Sequence, residues 1–473
     1  MSVVHRTSLL WMLLVGPLGS LPAPVSAQCG ELTWIEAINQ ALDANQALVA
    51  ARQALDAQHK DVAIARSSML PSLGFIGYGQ FSKSTTFSSS AGVVPERNLR
   101  LAGEIRETLY DQGDIDTLGA QKHLYESQRY SYENTRNQTI AAAGQDYLGV
   151  LLSEALMLLQ EENVALSQGS LELTEAQEES GEVPYANVLR LRSQLYGAQQ
   201  QRVAQKSGVL QSRFRFNQVR NRPAEEVCIL EQLSIDKDGF IFSSDTVVEA
   251  LSEERRASAA RDYLVELGLE RAPVLRSLDA EIMAEERRMK AGRRWLIPSL
   301  DAAAAAAAFI KTSGAGSDET ESGELFWQVG LILDWDVLHG GAYIATMNQS
   351  KAEFWGLKSQ RNNAATSLEE NIRGAAAAAM ASFERIGLAL LQAETAAENY
   401  ELVNESYLLG ESTLLELIDG QDQLVQSNTA ASQALYQFLS DLLTLEQSMA
   451  YYPFFEEDAD ARIRELEAKL EGR

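Results

Sequence analysis

The spacing of apolar residues along this chain changes between a helical period and an alternating period. In long proline-free segments apolar residues recur every three or four positions, which predicts amphipathic helices. One such segment runs from Asp114, the predicted N-cap, to Ser180, and another runs from Ala342 to Gly410. A helix of roughly 65 residues would span about 95 Å. Shorter partner helices follow from Tyr185 to about Asn221 and after Leu414. The pattern therefore predicts two long helical hairpins.

A glycine lies at the turn of each predicted hairpin. Gly410 follows Gly181 by 229 residues, and glycine tolerates the left-handed backbone that ends many helices. Pro184 follows the first glycine, and we place it in the first turn of the next helix, where its missing amide has no intrahelical partner to lose. Because the two hairpins share one design, we predict that the chain is an internal duplication.

Alternation of apolar and polar residues predicts two strands ahead of each hairpin. Seven alanines, Ala302–Ala308, favour a helix by propensity alone. We predict a strand there, because the duplication places this run where Gly74–Phe81 lies in the first half. The other predicted strands are Leu73–Phe81, Leu99–Arg106 and Leu325–Asp336, and the shorter predicted helices are Leu32–Asp43, Gln46–Ser68, Val247–Leu269 and Leu275–Trp295.

The pattern divides the chain into five parts. These are residues 1–27, a first repeat at 28–222, a linker with a short helix at 223–271, a second repeat at 272–452 and a charged tail at 453–473. Arg6, an apolar run over Leu9–Leu18 and small residues at Val25–Ala27 make residues 1–27 typical of a secretory signal peptide. A transmembrane helix is the alternative, but the run is shorter than the roughly 18 residues it needs. No other segment is expected to cross a membrane as a helix.

Composition narrows the function further. The net charge of −26 disfavours nucleic acid as a partner, because nucleic-acid-binding proteins are usually basic. Cys29 and Cys228 are the only cysteines, and an oxidising compartment permits either a disulfide between them or two separate thiols. Gln28 precedes Cys29, where a lipidation signal would have a small residue. The four histidines lack metal-ligand spacing, so we predict no metal site, no cofactor and no enzymatic activity; they are His5, His59, His123 and His339.

Four strands per chain are too few to close a barrel, and a lipid bilayer does not tolerate open sheet edges. Either the sheet stays small and soluble, or several chains share one barrel. Three chains would supply twelve strands, enough to enclose a water-filled lumen. The fold class predicted on this reasoning is mainly α with a membrane β-barrel contribution: duplicated helical hairpins forming an α-barrel, plus four strands per chain in a shared twelve-stranded β-barrel.

The ordered set of elements occurs twice, and each copy of the first strand begins after a Pro-Ser-Leu sequence, at Pro71 and Pro298. This repeated arrangement resembles the TolC-like family of outer-membrane efflux and secretion channels over about Leu32 to Tyr452. The resemblance implies a homotrimeric export duct in the outer membrane of a Gram-negative bacterium, in contact with outer-membrane lipid and with a large periplasmic part. It also implies a periplasmic adaptor protein and an inner-membrane pump of RND or ABC type as partners.

The resemblance assigns pore-constriction residues to the hairpin tips. Glu416 and Asp419 match two acidic residues that form rings at the periplasmic entrance, where repulsion would hold some carboxyls protonated; two solvated surface acids are the alternative. Tyr407 matches a tip tyrosine of the family. Asn187 and Ser412 stand where its best-known members have an aspartate and an arginine, so that ion pair cannot form here. Partner docking is expected at the tips, through Gly181, Val183, Gly410 and Leu414.

Two other functions would fit parts of this pattern. A periplasmic adaptor or structural protein could use the same helical hairpins without any pore, but it would need no lipid-facing strands. A general diffusion porin closes its barrel within one chain and needs many more strands. We therefore expect a passive export channel of a tripartite efflux pump or a type I secretion system.

Overall fold

The computed structural model is mainly helical and describes residues 28–81, 97–233, 254–292, 296–314, 323, 325–337, 340–456, 461–462 and 464–465. The predicted signal peptide and the start of the predicted helix at Val247 lie outside these residues. So do residues 82–96, 315–322 and 324 between the strands of each repeat, and most of the charged tail.

The first repeat contains the predicted helices and strands and one further strand. Helix α3 begins earlier than predicted, because Asp111, not Asp114, is its N-cap. Asp111 has an extended backbone, and its carboxylate accepts hydrogen bonds from the amides of Gly113 and Asp114 at 2.6 and 3.1 Å. The elements are β1 (Gln28–Leu32), α1 (Trp34–Ala44), α2 (Gln46–Ser67), β2 (Ser72–Phe81), β3 (Arg97–Tyr110), α3 (Gln112–Glu179) and α4 (Tyr185–Val219).

The linker and the second repeat follow the same order. The alanine run lies in a strand, as the duplication predicted, since it pairs on both sides with neighbouring strands and this pairing outweighs helix propensity. The elements are β4 (Val227–Leu230), α5 (Glu254–Arg271), α6 (Pro273–Ala291), β5 (Ser299–Ser313), β6 (Leu325–Asp334), α7 (Ala342–Leu408) and α8 (Leu414–Met449).

The helices lie side by side around the long helix α3. In the half next to the sheet the order is α2, α3, α6 and α7, and in the half with the hairpin tips it is α4, α3, α8 and α7. This places α7 at one edge of the layer throughout, with α2 and α4 at the other edge. Within these two rows of described helices each edge helix has a neighbour on one side only, and α5 packs against α7 in addition.

The sequence predicts no segment beyond residues 1–27 that is long and apolar enough to cross a membrane as a helix, and α7 corrects this prediction. This helix contains an 18-residue window that is apolar enough by length and composition to cross a membrane. Alanines at 375–379 contribute to that composition. Within the protein, Ile372, Ala376 and Ala379 of α7 are buried in the main core, and the helix packs against α6 and α8. The window therefore belongs to a packed helix of the second repeat.

The four longer strands form one antiparallel sheet in the order β2–β3–β5–β6. The two halves of the duplication meet where β3 pairs with β5. The outer edges of β2 and β6 have no neighbouring strand among the described residues, so the sheet is open within one chain.

A second, two-stranded sheet was not predicted. β1 and β4 pair in parallel, and Cys29 and Cys228 form a disulfide across them with their Cα atoms 4.8 Å apart. The hydroxyl of Tyr147 on α3 lies 3.1 Å from the carbonyl oxygen of Leu32 and 2.8 Å from that of Glu231. These bonds fasten the end of β1 and the residue after β4 to the middle of α3.

Candidate functional site: hairpin tips and sheet face

The two hairpin tips have the same backbone geometry. Gly181 and Gly410 have φ values of 80° and 75°, in the left-handed region that favours glycine. At the first tip the amides of Gly181 and Glu182 bond to the carbonyls of Glu178 and Gln177 at 2.9 Å each. This pattern is a Schellman motif, in which left-handed glycine returns two amides to the last turn of the helix.

The second tip repeats this motif bond for bond. The amide of Gly410 bonds to the carbonyl of Tyr407 at 3.0 Å, and the amide of Glu411 bonds to that of Ser406 at 2.8 Å. Both predicted hinge glycines therefore have positions that require positive φ, and both long helices end by the same mechanism.

The helix starts that follow the two glycines differ. Pro184 is the N-cap of α4, one position earlier than predicted, and offers no side-chain hydrogen bond. Thr413 is the N-cap of α8 and forms a capping box with Glu416. The amide of Thr413 donates to Oε2 of Glu416 at 2.7 Å, and the hydroxyl of Ser412 donates to the same oxygen at 3.1 Å. These bonds to the ionised form lower the pKa of Glu416 below its ordinary value.

An acidic stripe continues from Glu416 along α8. Asp419 and Asp422 follow at three-residue spacing, and all three side chains are exposed. Spacing of three residues keeps them on one side of the helix. Desolvation and the neighbouring charge of Asp419 raise the pKa of Asp422. The sequence analysis did not name Asp422, because the family resemblance that assigned Glu416 and Asp419 covers two acidic positions only.

Two of the predicted site residues lie inside the tips. Tyr407 is 5% exposed and Leu414 is 6% exposed, so neither side chain faces solvent as a constriction or docking residue would. Both belong to a small core that joins the two hairpins and also contains Val188, Leu191 and Leu417. Leu409 and Leu415 present exposed leucine side chains at the second tip instead. The helical pattern alone did not show which leucine of the pair Leu414–Leu415 points inward.

Neutral hydrogen bonds connect the first hairpin to the second. The hydroxyls of Tyr407 and Thr174 lie 3.1 Å apart, and both residues are buried. The buried amide of Gln421 donates to Oδ1 of Asn163 at 3.0 Å and to Oγ of Ser167 at 2.7 Å. Asn187 and Ser412 cannot form an ion pair, as the sequence predicts. Hydrogen bonds between uncharged groups therefore join α3 to α7 and α8 near the tips.

The sheet presents one face that is apolar in its central rows, with Glu107 toward one end and Arg97 and Lys311 toward the other. Residues paired directly across antiparallel strands lie on the same face, so the register sorts the side chains. Leu73 pairs with Ile105, Ile105 with Ala304, and Ala304 with Val329. The large apolar residues on this face are between 44% and 84% exposed in the single chain: Leu73, Phe75, Phe81, Leu99, Leu101, Ile105, Leu325, Trp327, Val329, Leu331 and Leu333. Such a face suits contact with lipid.

Comparison with known proteins agrees with this architecture. The sequence profile of the outer membrane efflux protein family matches residues 37–219 and 264–450. No curated protein has a sequence that matches the chain significantly. Among solved structures, the Campylobacter jejuni CmeC outer membrane channel aligns with a TM-score of 0.72 at 16% identity, over 92% of this chain and 89% of that chain.

Two further outer-membrane proteins share the fold. The outer membrane protein VceC from Vibrio cholerae aligns with a TM-score of 0.71 at 14% identity, over 88% of this chain and 96% of that chain. The open state of the Neisseria gonorrhoeae MtrE outer membrane channel gives 0.68 at 16% identity, over 88% of this chain and 89% of that chain. At these identities the structural matches establish the fold, and the profile match to both repeats establishes the family. The chain belongs to the outer membrane efflux protein family.

Proposed function

We propose that three copies of this outer-membrane efflux channel assemble into one passive export duct, with a twelve-stranded barrel in the lipid and a helical tunnel across the periplasm. The observation that carries the proposal is the four-stranded sheet with two open edges and an exposed apolar face. A sheet in lipid must have its edge groups paired, and pairing β6 of one copy with β2 of the next satisfies both edges.

The helical layer has matching unpaired edges. On α4, exposed apolar residues recur every seven positions, and α7 carries a similar stripe at the opposite edge of the same chain. Heptad spacing is the pattern by which helices pack against a neighbour. An α4 edge that packs on the α7 edge of the next copy makes a head-to-tail contact, which closes into a ring. The stripe residues are Leu189, Tyr196, Val203 and Leu210 on α4, and Leu388, Leu391 and Leu402 on α7.

The assembly is tested by the mass of the purified protein in detergent. We expect a trimer for the natural sequence and dissociation for Val203→Asp, because the substitution places a charge in the apolar stripe. Gln201→Asp is the matched control, since Gln201 is also exposed but lies about 200° around the helix from Val203. A natural protein that is monomeric in detergent would refute the proposal.

We place the periplasmic entrance of this duct at the acidic stripe of Glu416, Asp419 and Asp422. A threefold axis would gather nine carboxylates there, and neighbouring charges would repel by about 1–4 kcal/mol at 4 Å separation. In the single chain the capping bonds lower the pKa of Glu416, which favours its ionised form. Glu416 therefore stays ionised and contributes attraction for cations.

The entrance is tested by cation block in a planar bilayer. We expect that replacing both Glu416 and Asp419 with alanine weakens block by trivalent cations added from the periplasmic side. Asp441→Ala is the control, because it removes an acid of the same helix far from the tip. Unchanged block in the double variant would remove these residues from the constriction.

We assign the energy source to partners, a periplasmic adaptor protein and an inner-membrane pump, that dock at the tips. Val183 is partly exposed, Leu409 and Leu415 are exposed, and Gly181 and Gly410 set the backbone turns between them. Exposed apolar side chains at the end of a long helical tube suit contact with another protein. At the two positions of the family's tip ion pair this chain has the uncharged residues Asn187 and Ser412. The bonds from Tyr407 to Thr174 and from Gln421 to α3 would hold the periplasmic entrance closed in its place.

A further inference from the structure

The face of the sheet opposite the lipid-facing one has a distinct chemistry. It carries two adjacent rows of paired residues near the end of β2, and together the rows contain three aromatic side chains. Ala307 in one of these rows is only 4% exposed, whereas the large apolar residues on the lipid-facing side are exposed. Side chains therefore crowd together on this face, as on the concave side of a curved sheet. The rows are Tyr78, Arg100 and Phe309, and then Ile76, Ala102, Ala307 and Phe326.

Arg100 lies on an aromatic surface within this face. Its guanidinium carbon is 5.0 Å from the centre of the Phe326 ring, and the rings of Phe326 and Phe309 are 5.8 Å apart. Both distances are within the range of cation–π and aromatic pairing. The Nε atom of Arg100 is buried and has no hydrogen-bond partner among the described residues.

The charge of Arg100 is not balanced by a carboxylate in the part of the chain that the structure describes. Arg106, on the same face, differs in this respect, because its guanidinium is 3.0 Å from the carboxylate of Glu104. The row beyond Arg100 contains Gln80, Asn98 and Thr312, which are uncharged. Arg100 is therefore the one net charge that the described residues supply to this level of the face.

We propose that Arg100, Phe309 and Phe326 form a binding subsite for organic anions that carry an aromatic ring. A carboxylate or sulfonate would pair with the guanidinium, and the ring would stack on the phenylalanines. The inference rests on the proposed function, since only a closed barrel turns this face into the wall of a lumen. Three copies would then present three such subsites around the lumen, at the end of the duct opposite the acidic entrance.

Channel block distinguishes the subsite from the duct itself. The probes are 1-naphthalenesulfonate and methanesulfonate, added to a planar bilayer that contains the natural trimer or a variant. We expect the naphthyl compound to reduce the current at lower concentration than methanesulfonate does. Arg100→Gln and Phe326→Leu should each raise its half-blocking concentration about fivefold or more, since each removes one of the two recognition groups.

Arg106→Gln is the matched control, because it removes the same charge from the same face at a site without a ring beneath it. We expect a change below about twofold for this variant, since Glu104 already balances Arg106. Equal half-blocking concentrations in the natural protein and Arg100→Gln would overturn the subsite while leaving a conducting duct. An equal rise of the half-blocking concentration in Arg100→Gln and Arg106→Gln would also overturn the subsite, because it would show that block depends only on the net charge of this face. A natural protein without any conductance would instead refute the proposed function, and the subsite with it.

Discussion

The two hairpin tips have the same backbone and different chemistry. Both long helices end in a Schellman motif on a glycine with positive φ, and Gly181 and Gly410 are 229 residues apart. The same offset relates Asn187 to Glu416 and Arg190 to Asp419. The first tip therefore has an amide and a cation where the second tip has the acids of the proposed entrance. Duplication supplied the turn geometry, and substitution at equivalent positions gave the second tip its charge.

The two repeats also differ in how their ends are fastened. Only the first repeat is enclosed by a disulfide, since Cys29 precedes α1 and Cys228 follows α4 with a sequence separation of 199 residues. The second repeat ends in aromatic packing, where the hydroxyl of Tyr452 donates to the carbonyl of Asn137 at 2.8 Å. A cross-link that closes so long a loop restricts the unfolded chain strongly.

Of the changes predicted here, removing the disulfide of the first repeat should reduce stability the most. For Cys29→Ser with Cys228→Ser we expect the free energy of unfolding to fall by about 5 kcal/mol, the loop-entropy value for a loop of this length. Denaturant unfolding of the natural protein and the double variant measures the difference. A dithiol reductant should destabilise the natural protein and leave the double variant unchanged, and equal stability of the two proteins would contradict the prediction.

Substitution of either tip glycine should destabilise the protein less than loss of the disulfide does, and by the same amount at both tips. We expect Gly181→Ala and Gly410→Ala each to destabilise their tip by about 1–2 kcal/mol, because the left-handed backbone brings Cβ too close to the following carbonyl oxygen. Hydrogen exchange of the amides on either side of each glycine measures the change. We also expect impaired export with an intact trimer, because the turn positions the proposed docking surface.

Two helix-interior glycines provide controls for these variants. Gly169 and Gly387 have open space where a Cβ would lie, and neither has a positive φ. Alanine there should stabilise the helix by about 0.5–1 kcal/mol. Loss of the trimer in Gly181→Ala or Gly410→Ala would instead make these glycines purely structural. Unequal effects of the two tip variants would show that the tips differ in backbone strain as well as in charge.

The sequence predicted the long helices, the alanine strand and both hinge glycines, because each follows from a local period or from the duplication. It did not predict β1 and β4, which are short, pair in parallel and depend on contacts between residues about two hundred positions apart. Nor did it place Asp111 as the cap of α3, because an aspartate three residues later is equally suitable by residue type. Local patterns specify elements, while pairings distant in sequence become visible only in the folded chain.

The candidate site was predicted in the same uneven way. The family resemblance assigned Glu416 and Asp419 to the entrance, and this role stays a prediction; both side chains are exposed in the single chain. The inward positions of Tyr407 and Leu414 were missed, because both faces of the tip carry apolar residues and only the packing against Val188 and Leu191 distinguishes them. The subsite around Arg100 needed the strand register, which no single strand reveals.

The smallest expected effect concerns pH and affects the second tip alone. The folded chain lowers the pKa of Glu416 from its ordinary value of 4.5, chiefly through the backbone and hydroxyl of Thr413 and then through Ser412. A carboxyl whose pKa is lower in the folded state stabilises that state above its unfolded pKa. The stabilisation is lost as the pH falls below 4.5 and through the lowered value.

Protection of the amides at the start of α8 should therefore weaken as the pH falls below 4.5, while the equivalent amides of α4 show no such change because Asn187 does not titrate. Hydrogen exchange, corrected for the intrinsic pH dependence, measures both tips in one sample. Glu416→Gln should remove the pH dependence, since a neutral amide side chain can still accept the capping bonds. Thr413→Ala should reduce it, because the hydroxyl that donates to the carboxylate is gone while the backbone amide remains. An unchanged pH dependence in Glu416→Gln would assign the effect to another acid of the stripe, and the charge difference between the two tips would then not arise from the cap.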